Sequence, residues 1–158
     1  MSVIIGIDPG LASTGYGVVE SKGNSLVCLE YGTFLTESTK TLGERLESLF
    51  QQINQVLYQF KPDKAAIEGL FFSKNVTSAL PVSHARGVLI LALQQQGILI
   101  TELSPNAIKK GVVGMGKADK HQVTQMVKII LGIQEFPETS HAADALAAAI
   151  ACSTGVIT

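Results

Sequence analysis

Three carboxylates and one histidine are the residues of this sequence that are best placed to do chemistry. Asp8 ends the apolar run SVIIGID, and Glu68 ends the apolar run KAAIE. His141 and Asp144 lie three residues apart in the alanine-rich stretch HAADALAAAI, a spacing that puts both side chains on one face of a helix. If these side chains converge, the like charges raise the pKa values of the carboxyl groups unless a cation lies between them.

A divalent metal ion is the cation that this set of side chains favours. Oxygen ligands suit Mg²⁺ or Mn²⁺, and the open coordination positions of such an ion can hold water and phosphate. Two such ions can activate a water molecule and stabilise the leaving oxygen of a phosphodiester. The predicted site is therefore suited to phosphodiester chemistry.

Each of these residues alone also has an ordinary structural interpretation. An aspartate before Pro9-Gly10 is a common turn residue, and Asp144 could favour the N-terminus of a helix electrostatically. His141 could be a surface residue near that terminus. The functional interpretation therefore depends on whether the fold brings the side chains together.

Five short segments are predicted as strands because they are apolar, rich in β-branched residues and bounded by turn signals. They cover residues 2–8, 14–21, 25–34, 63–69 and 97–103. The first three are joined tightly, which predicts an antiparallel meander, and the others are separated by helical segments. This order predicts an α/β fold with a mixed five-stranded sheet and helices on both faces.

Helices are predicted where apolar residues recur at spacings of three and four or where a helix start is encoded. They cover residues 42–60, 75–96, the segment opened by Ser104-Pro105, 123–131 and about 139–152. Pro81 lies about two turns into the second of these, so that helix is expected to kink or to begin late.

The last helix and two strand ends must position the candidate site. Ligand sites in α/β sheets favour the carboxyl ends of strands, where Asp8 and Glu68 lie. Ala145 and Ala148 continue the helix face that carries His141, and their small side chains would let the helix lie close to the sheet. If it packs beside the first and fourth strands, the three carboxylates and the histidine converge.

Composition limits the class of protein. The chain has 158 residues, of which 46% are hydrophobic and 16% charged, so it can bury a core, and one domain over 1–158 is expected. No apolar run approaches a membrane span, and the start lacks the features of a signal peptide. A soluble cytoplasmic protein is expected. Cys28 and Cys152 have no metal or redox spacing and are expected to pack as small apolar residues.

The charge distribution is more informative than the net charge of −1. Residues 1–60 hold three Lys or Arg and six Asp or Glu, whereas residues 104–128 hold five lysines and one acid, Asp119. Such a basic segment could be a phosphate-binding face. From charge alone, however, a solvated helix surface is the preferred interpretation.

The stretch DPGLASTGYGVV allows a second interpretation. An Asp-x-Gly turn between hairpin strands is also found in the actin, sugar kinase and heat-shock ATPase superfamily, where it contacts phosphate and metal. Those proteins bind nucleotide between two domains of this type, and a chain of 158 residues has room for one. A nucleotide phosphotransferase is therefore a minor alternative.

Five stretches, in order along essentially the whole chain, resemble the successive motifs of the RuvC family of bacterial Holliday-junction resolvases. They are IIGIDPGLASTGYGVV, AAIEGLFFSKNVTSAL, ARGVLILA, KKGVVGMGKADKHQV and HAADALAAAI. The resemblance implies a ribonuclease-H-like fold, which agrees with the predicted element order. It implies a homodimer that nicks two opposed strands of a four-way DNA junction by Mg²⁺-dependent hydrolysis, leaving 5′-phosphate ends. The RuvA and RuvB branch-migration proteins are the implied partners.

The resemblance also implies roles for individual residues. It makes Asp8, Glu68 and Asp144 catalytic acids that bind two Mg²⁺ ions, for which Mn²⁺ can substitute. The fourth position falls on His141, where many family members have aspartate. A histidine could bind metal through a neutral nitrogen, or orient or deprotonate the attacking water.

The residues that the resemblance assigns to DNA binding lie in two stretches. Phe71 matches an aromatic residue that stacks on an exposed base. Lys109 and Lys120 match contacts to the DNA backbone, and Lys110 and Lys117 lie beside them, so phosphates would approach the metal site over the basic segment. The expected function is a structure-selective endonuclease. A junction-binding module without catalysis is the alternative from another class, and the intact acids disfavour it.

Overall fold

A computed structural model describes residues 1–69, 76–136 and 140–155 of the chain. Its strands are β1 (Ser2–Asp8), β2 (Ser13–Lys22), β3 (Ser25–Leu35), β4 (Lys64–Glu68) and β5 (Leu99–Leu103). Its helices are α1 (Leu42–Phe60), α2 (Val76–Gln95), α3 (Pro105–Val113), α4 (Lys120–Leu131) and α5 (His141–Ser153). The predicted order of strands and helices is confirmed.

The five strands form one mixed sheet in the order β3-β2-β1-β4-β5. β1, β2 and β3 are antiparallel neighbours, as the predicted meander requires, whereas β4 runs parallel to both β1 and β5. Ile7 on β1 is paired with Ile67 on β4, so the next residues, Asp8 and Glu68, end adjacent strands at the same edge of the sheet. This register brings the first two predicted site residues together.

Helices cover both faces of the sheet, and each face has its own core. On one face α1 and α2 pack against Ile5, Ile7 and Ile67 through large aliphatic side chains. On the other face α3, α4 and α5 pack against Ile4 and Val19. Cys28 and Cys152 are partly buried against this second core as free cysteines, so the expectation that they pack as small apolar residues is confirmed.

Local sequence signals explain where several helices begin. Ser104 caps α3 by accepting a hydrogen bond from the Ala107 amide, and Pro105 follows it at the first helical position. The first amides of a helix have no hydrogen-bond acceptor within the helix. The serine side chain accepts from one of them, and proline at the next position has no amide proton that would need an acceptor. The helix start predicted from Ser104-Pro105 is therefore confirmed.

The second helix was expected to span about residues 75–96 and either to kink or to begin late at Pro81; the span agrees with α2, and the helix does not begin late. α2 begins at Val76 and contains Pro81. Pro81 lies in the second turn and has no amide proton, so the helix lacks one main-chain hydrogen bond at this position.

Across the described ranges, none of the helices combines the length and the apolar character that crossing a membrane requires.

Candidate active site

The centre of the candidate site is a cluster of Asp8, His141 and Asp144. One ligand atom from each of these residues lies within 4.8 Å of those from the other two. The Nδ1 atom of His141 is 2.9 Å from the Oδ2 atom of Asp8, although the two residues are 133 positions apart in the chain. The predicted convergence of the end of β1 with the last helix is therefore present in the structure.

The close approach of α5 to the sheet depends on glycines in the strands. A Cβ atom added at Gly15 would overlap the carbonyl oxygen of His141, and one added at Gly6 would overlap the carbonyl oxygen of Ala145. Gly15 is also the register partner of Asp8. The main chain of the helix thus lies directly against the main chain of β1 and β2, and a larger residue at Gly15 would move His141 away from Asp8.

This approach was predicted from the alanines of α5, and the part played by the glycines of the strands was missed. The signal for them is present in TGYGVV, where Gly15 and Gly17 lie two positions apart and therefore on the same face of a strand. Glycine weakens a strand interior and often marks a site where another backbone comes close. Here the backbone that comes close belongs to the helix that carries His141.

The first turn of α5 faces the strand ends. Ser140 caps the helix by accepting a hydrogen bond from the Ala143 amide, His141 is the first helical residue, and Asp144 lies in the first turn. The N-terminus of a helix carries a partial positive charge. His141 and Asp144 thus lie at the end of the helix where a phosphate group would also be stabilised.

Glu68 lies beside the cluster and opens into an adjoining pocket. That pocket is lined by Glu68, Asp144, Lys109 and Lys120, together with Pro105, Ile108, Val123 and Ala147. Glu68 is not among the residues whose ligand atoms lie within 4.8 Å of one another. Glu68 nevertheless ends the strand next to that of Asp8 and lines the pocket together with Asp144, so it lies at the edge of the same charged site.

Two of the four predicted DNA-binding lysines lie in this pocket. The Nζ atom of Lys120 is 3.3 Å from the Oδ2 atom of Asp144, and Lys109 lines the pocket beside Glu68. Lys110, in the last turn of α3, and Lys117, in the turn before α4, are not part of the pocket lining. Phe71 lies outside the described residues.

Burial raises the pKa of both carboxyl groups at the strand ends. For Asp8, burial is the largest cause of the raised pKa, the hydrogen bond to His141 opposes it, and the charge of Asp144 adds to it. For Glu68, burial again raises the pKa most, the charges of Asp8 and Asp144 raise it further, and Lys109 and Lys120 oppose the shift. A bound cation would reverse both effects, because it favours the ionised form of each ligand.

The donor set fits a divalent metal ion. Two carboxylates and one imidazole nitrogen are close enough to share an ion, and a third carboxylate lies beside them. Carboxylate oxygens suit Mg²⁺ and Mn²⁺, and an imidazole ligand is common for transition metals. The raised pKa values of Asp8 and Glu68 indicate that the nearby lysines and histidine do not fully offset burial and repulsion, which a cation would do.

Comparison with known proteins identifies the family. The model of the family described as crossover junction endodeoxyribonuclease RuvC matches residues 4–152. The chain belongs to the RuvC family. The RuvC of Treponema denticola is 51% identical over 147 residues, which cover 93% of this chain and 83% of that protein. The RuvC of Treponema pallidum strain Nichols is 50% identical over 150 residues, which cover 95% of this chain and 76% of that protein.

Solved RuvC structures share the fold. A structure described as T. thermophilus RuvC in complex with Holliday junction substrate has a TM-score of 0.91 and 34% identity, covering 97% of this chain and 93% of that chain. The yeast mitochondrial Holliday junction resolvase Ydc2 has a TM-score of 0.64 at 16% identity and covers 94% of this chain and 77% of that chain, so it supports the fold alone. The expected α/β, ribonuclease-H-like architecture is thus confirmed.

Proposed function

We propose that this chain is a Holliday-junction resolvase, a metal-dependent endonuclease that cuts two opposed strands of a four-way DNA junction. Membership of the RuvC family supports the activity and the class of substrate. The observation that carries the chemistry is the cluster of Asp8, His141 and Asp144, with ligand atoms within 4.8 Å of one another and Glu68 beside them. The reaction is hydrolysis of a phosphodiester that leaves 5′-phosphate ends.

Two Mg²⁺ ions are the proposed cofactor, and Mn²⁺ can substitute for them. Asp8, Glu68, Asp144 and His141 are the proposed ligands, because they supply the carboxylate and imidazole groups at the ends of β1 and β4 and at the start of α5. The ions, when bound, activate water and stabilise the leaving oxygen. The chain itself contributes a preorganised set of carboxylates, which its own folding holds close together against their repulsion.

His141 is held by Asp8 in a defined orientation. If Nδ1 donates its proton to the Oδ2 atom of Asp8 across the 2.9 Å between them, Nε2 is left as an acceptor. The histidine side chain is half exposed, so that nitrogen is accessible to water or metal. Its proposed role is therefore either a neutral metal ligand or an acceptor for the proton of the attacking water.

The pocket beside the cluster is the proposed path of the DNA backbone. Lys109 and Lys120 line it next to Glu68 and Asp144, where they can contact the phosphates that flank the scissile bond. Such contacts position the substrate without reading its sequence. Lys110 and Lys117 are proposed to extend this basic surface, and Phe71 is proposed to stack on a base at the junction centre.

The biological setting of the proposal is recombination and DNA repair. Because a symmetric junction presents two equivalent strands, two copies of the site are needed, and we propose a homodimer of a single nuclease domain that spans residues 1–158. RuvA and RuvB, which move the branch point, are the proposed partners. The proposed location is the cytoplasm.

A junction-cleavage assay tests this function. The parent chain should nick a synthetic four-way junction in Mg²⁺ or Mn²⁺ and leave a linear duplex of the same sequence uncut. Asp8→Asn should lower the cleavage rate by about 10³-fold, which corresponds to about 4 kcal/mol of transition-state stabilisation. Junction binding in Ca²⁺ should persist, because the variant removes a metal ligand and leaves the lysines in place.

The control for this assay is Asp63→Asn. Asp63 accepts a hydrogen bond from the Ser2 hydroxyl at the opposite end of the sheet, so the variant should cut at the rate of the parent. If the folded parent cuts no junction in either metal, or if Asp8→Asn cuts as fast as the parent, the proposed function or its metal site is wrong.

A further inference from the structure

Arg86 on α2 is a buried charged residue with no part in the chemistry proposed above. It is 7% exposed. Its Nη1 atom donates a hydrogen bond to the main-chain carbonyl oxygen of Glu68 at 3.0 Å, and its Nη2 atom forms an ion pair with the carboxylate of Glu102 on β5. The guanidinium group thus connects a helix, the end of β4 and the neighbouring strand.

The contact with Glu68 is made at the peptide bond where β4 ends. The carbonyl group of this peptide accepts from Arg86, and its amide group, which belongs to Gly69, donates to the carbonyl oxygen of Leu103 at 2.8 Å. Both polar groups of one peptide are therefore held, one by a helix and one by β5. Glu68 is the last residue of its strand, so the direction of its side chain depends on the orientation of this peptide.

Simple packing does not account for an arginine at this position. Among the residues that the structure describes, the buried polar or charged side chains are Thr14 and Arg86. Burying a guanidinium group costs desolvation energy, and an apolar side chain of similar volume often gives equal or greater stability. The side chain of Glu102 is 60% exposed, so the ion pair is only partly shielded from water. What the arginine offers, and an apolar residue does not, is a set of donors in a fixed fork.

We infer that Arg86 is a positioning residue for Glu68: it fixes the peptide that follows Glu68 and thereby directs the carboxylate toward Asp8 and Asp144. Its proposed action is through the main chain of Glu68. The inference rests on the proposed function for its catalytic consequence, but the orientation of the strand end is a property of the chain alone. Groups that orient metal ligands from behind change metal affinity or activity by about 10- to 100-fold when they are removed.

Hydrogen exchange tests the positioning role without any activity measurement. In Arg86→Met, which retains most of the side-chain volume, the Gly69 amide should exchange at least about tenfold faster relative to the amides of Ala66 and Ile67 in the interior of β4. A merely structural loss would speed exchange at all three positions together. Equal acceleration at Gly69 and in the strand interior would overturn the inference.

Metal titration tests the consequence for the site. For Arg86→Met we expect the Mn²⁺ concentration at half-maximal binding, measured by calorimetry, to rise about tenfold, and the single-turnover cleavage rate at a fixed low Mn²⁺ concentration to fall by a similar factor. Junction affinity in Ca²⁺ should not change. Ile53→Val, a core variant on α1, serves as a control for lost stability and should leave both metal measurements at the parent values.

Two conservative variants keep the test decisive if Arg86→Met folds poorly. Arg86→Lys keeps one donor that can reach either acceptor, so it should recover part of the metal affinity. Glu102→Gln keeps the contact between Arg86 and Glu68 and should stay near the parent. If Arg86→Lys and Arg86→Met both bind Mn²⁺ as the parent does, the inference is wrong. A last outcome separates the two proposals. If the parent cuts no junction, but hydrogen exchange in Arg86→Met becomes faster at the Gly69 amide alone, the proposed function is wrong and the positioning role of Arg86 is supported.

Discussion

The two faces of the sheet are built from different residues and serve different purposes. On the face covered by α1 and α2, large side chains such as Leu49, Ile53, Leu89 and Leu93 separate the helices from the sheet. On the face covered by α5, the main chain of the helix lies directly against the glycines of the strands, at Ala145 for Gly6 of β1 and at His141 for Gly15 of β2. The cluster of Asp8, His141 and Asp144 lies at the end of this second contact.

The two faces therefore contribute differently: one mainly to the stability of the fold, the other mainly to the geometry of the site. Large apolar side chains bury more surface, and burial stabilises the fold by about 25 cal/mol per Å². Small residues bury less, but they fix the distance between the helix and the sheet because hard main-chain atoms are in contact. Changes to the large apolar side chains under α1 and α2 should therefore alter the free energy of unfolding, and changes at the close contact between α5 and the strands should alter the chemistry.

The most direct way to break the α5 contact is Gly15→Ala. The added methyl group would overlap the main chain at His141, so the start of α5 must move away from Asp8. A displacement of about 1 Å in a catalytic site costs about 10²-fold in rate. We expect a loss of that size in single-turnover junction cleavage at saturating Mg²⁺.

Gly43→Ala is the matched control. Gly43 lies in α1, where an added Cβ atom has open space, and alanine favours a helix by up to about 1 kcal/mol over glycine. This variant should cut at the parent rate and be equally or more stable. If Gly15→Ala also cuts at the parent rate, the close approach of α5 does not set the site geometry.

Lys120→Gln tests a side chain of α4 that lies on the same face of the sheet as α5. It removes the cation that lies 3.3 Å from Asp144, so one phosphate contact should be lost. The slope of log K against log salt concentration should fall by about 1 in magnitude, as measured by fluorescence anisotropy with a labelled junction. Lys22→Gln, which breaks the ion pair with Glu20 at the far end of β2, should leave the slope unchanged.

Ile53→Val tests the opposite face. Ile53 is fully buried in the core formed with α1 and α2, and loss of one methylene from such a position costs about 1 kcal/mol. The midpoint of thermal unfolding should fall by roughly 2–4 °C, whereas the cleavage rate per folded molecule should stay constant. A fall in rate without a fall in stability would contradict the division between the two faces.

The smallest expected effect is a gain in stability for Glu68→Gln without metal. Because the pKa of Glu68 is raised in the folded state, the folded chain binds more protons than the unfolded chain between the ordinary and the raised value. Stability therefore falls as pH rises through that window. At neutral pH the metal-free variant should melt at a higher temperature than the parent, and below the ordinary glutamate pKa the difference should disappear. An equal difference at both pH values would refute this account.

Elements and local signals were largely predictable from the sequence. The periodicity of 42–60 predicted α1, and Ser104-Pro105 predicted the start of α3, because caps and amphipathic patterns are local properties. The ends of β1 and β4 were also predictable from the residues that follow each apolar run, so Asp8 and Glu68 could be proposed as neighbours on that basis.

The residues that depend on long-range geometry were not predictable in the same way. The overlap between Gly15 and His141 depends on where a helix from the end of the chain crosses a hairpin from its start. The bridge from Arg86 to Glu68 and Glu102 joins three elements, and no short window of sequence contains it. Residue types and spacing indicated the four site positions, and the resemblance to a known family gave them roles, but neither gave a role to the buried arginine.

The distance in sequence between Asp8 and His141 has a consequence for how the active protein comes into being. The strands β1, β2 and β3 are adjacent in the chain and can pair as soon as they are made, but their partner α5 is synthesised last among the described elements. Contacts between such distant segments form late in folding and are slow to close. A nascent or truncated chain that ends before α5 lacks His141 and Asp144, so we expect DNA cleavage only from chains whose synthesis has passed Asp144.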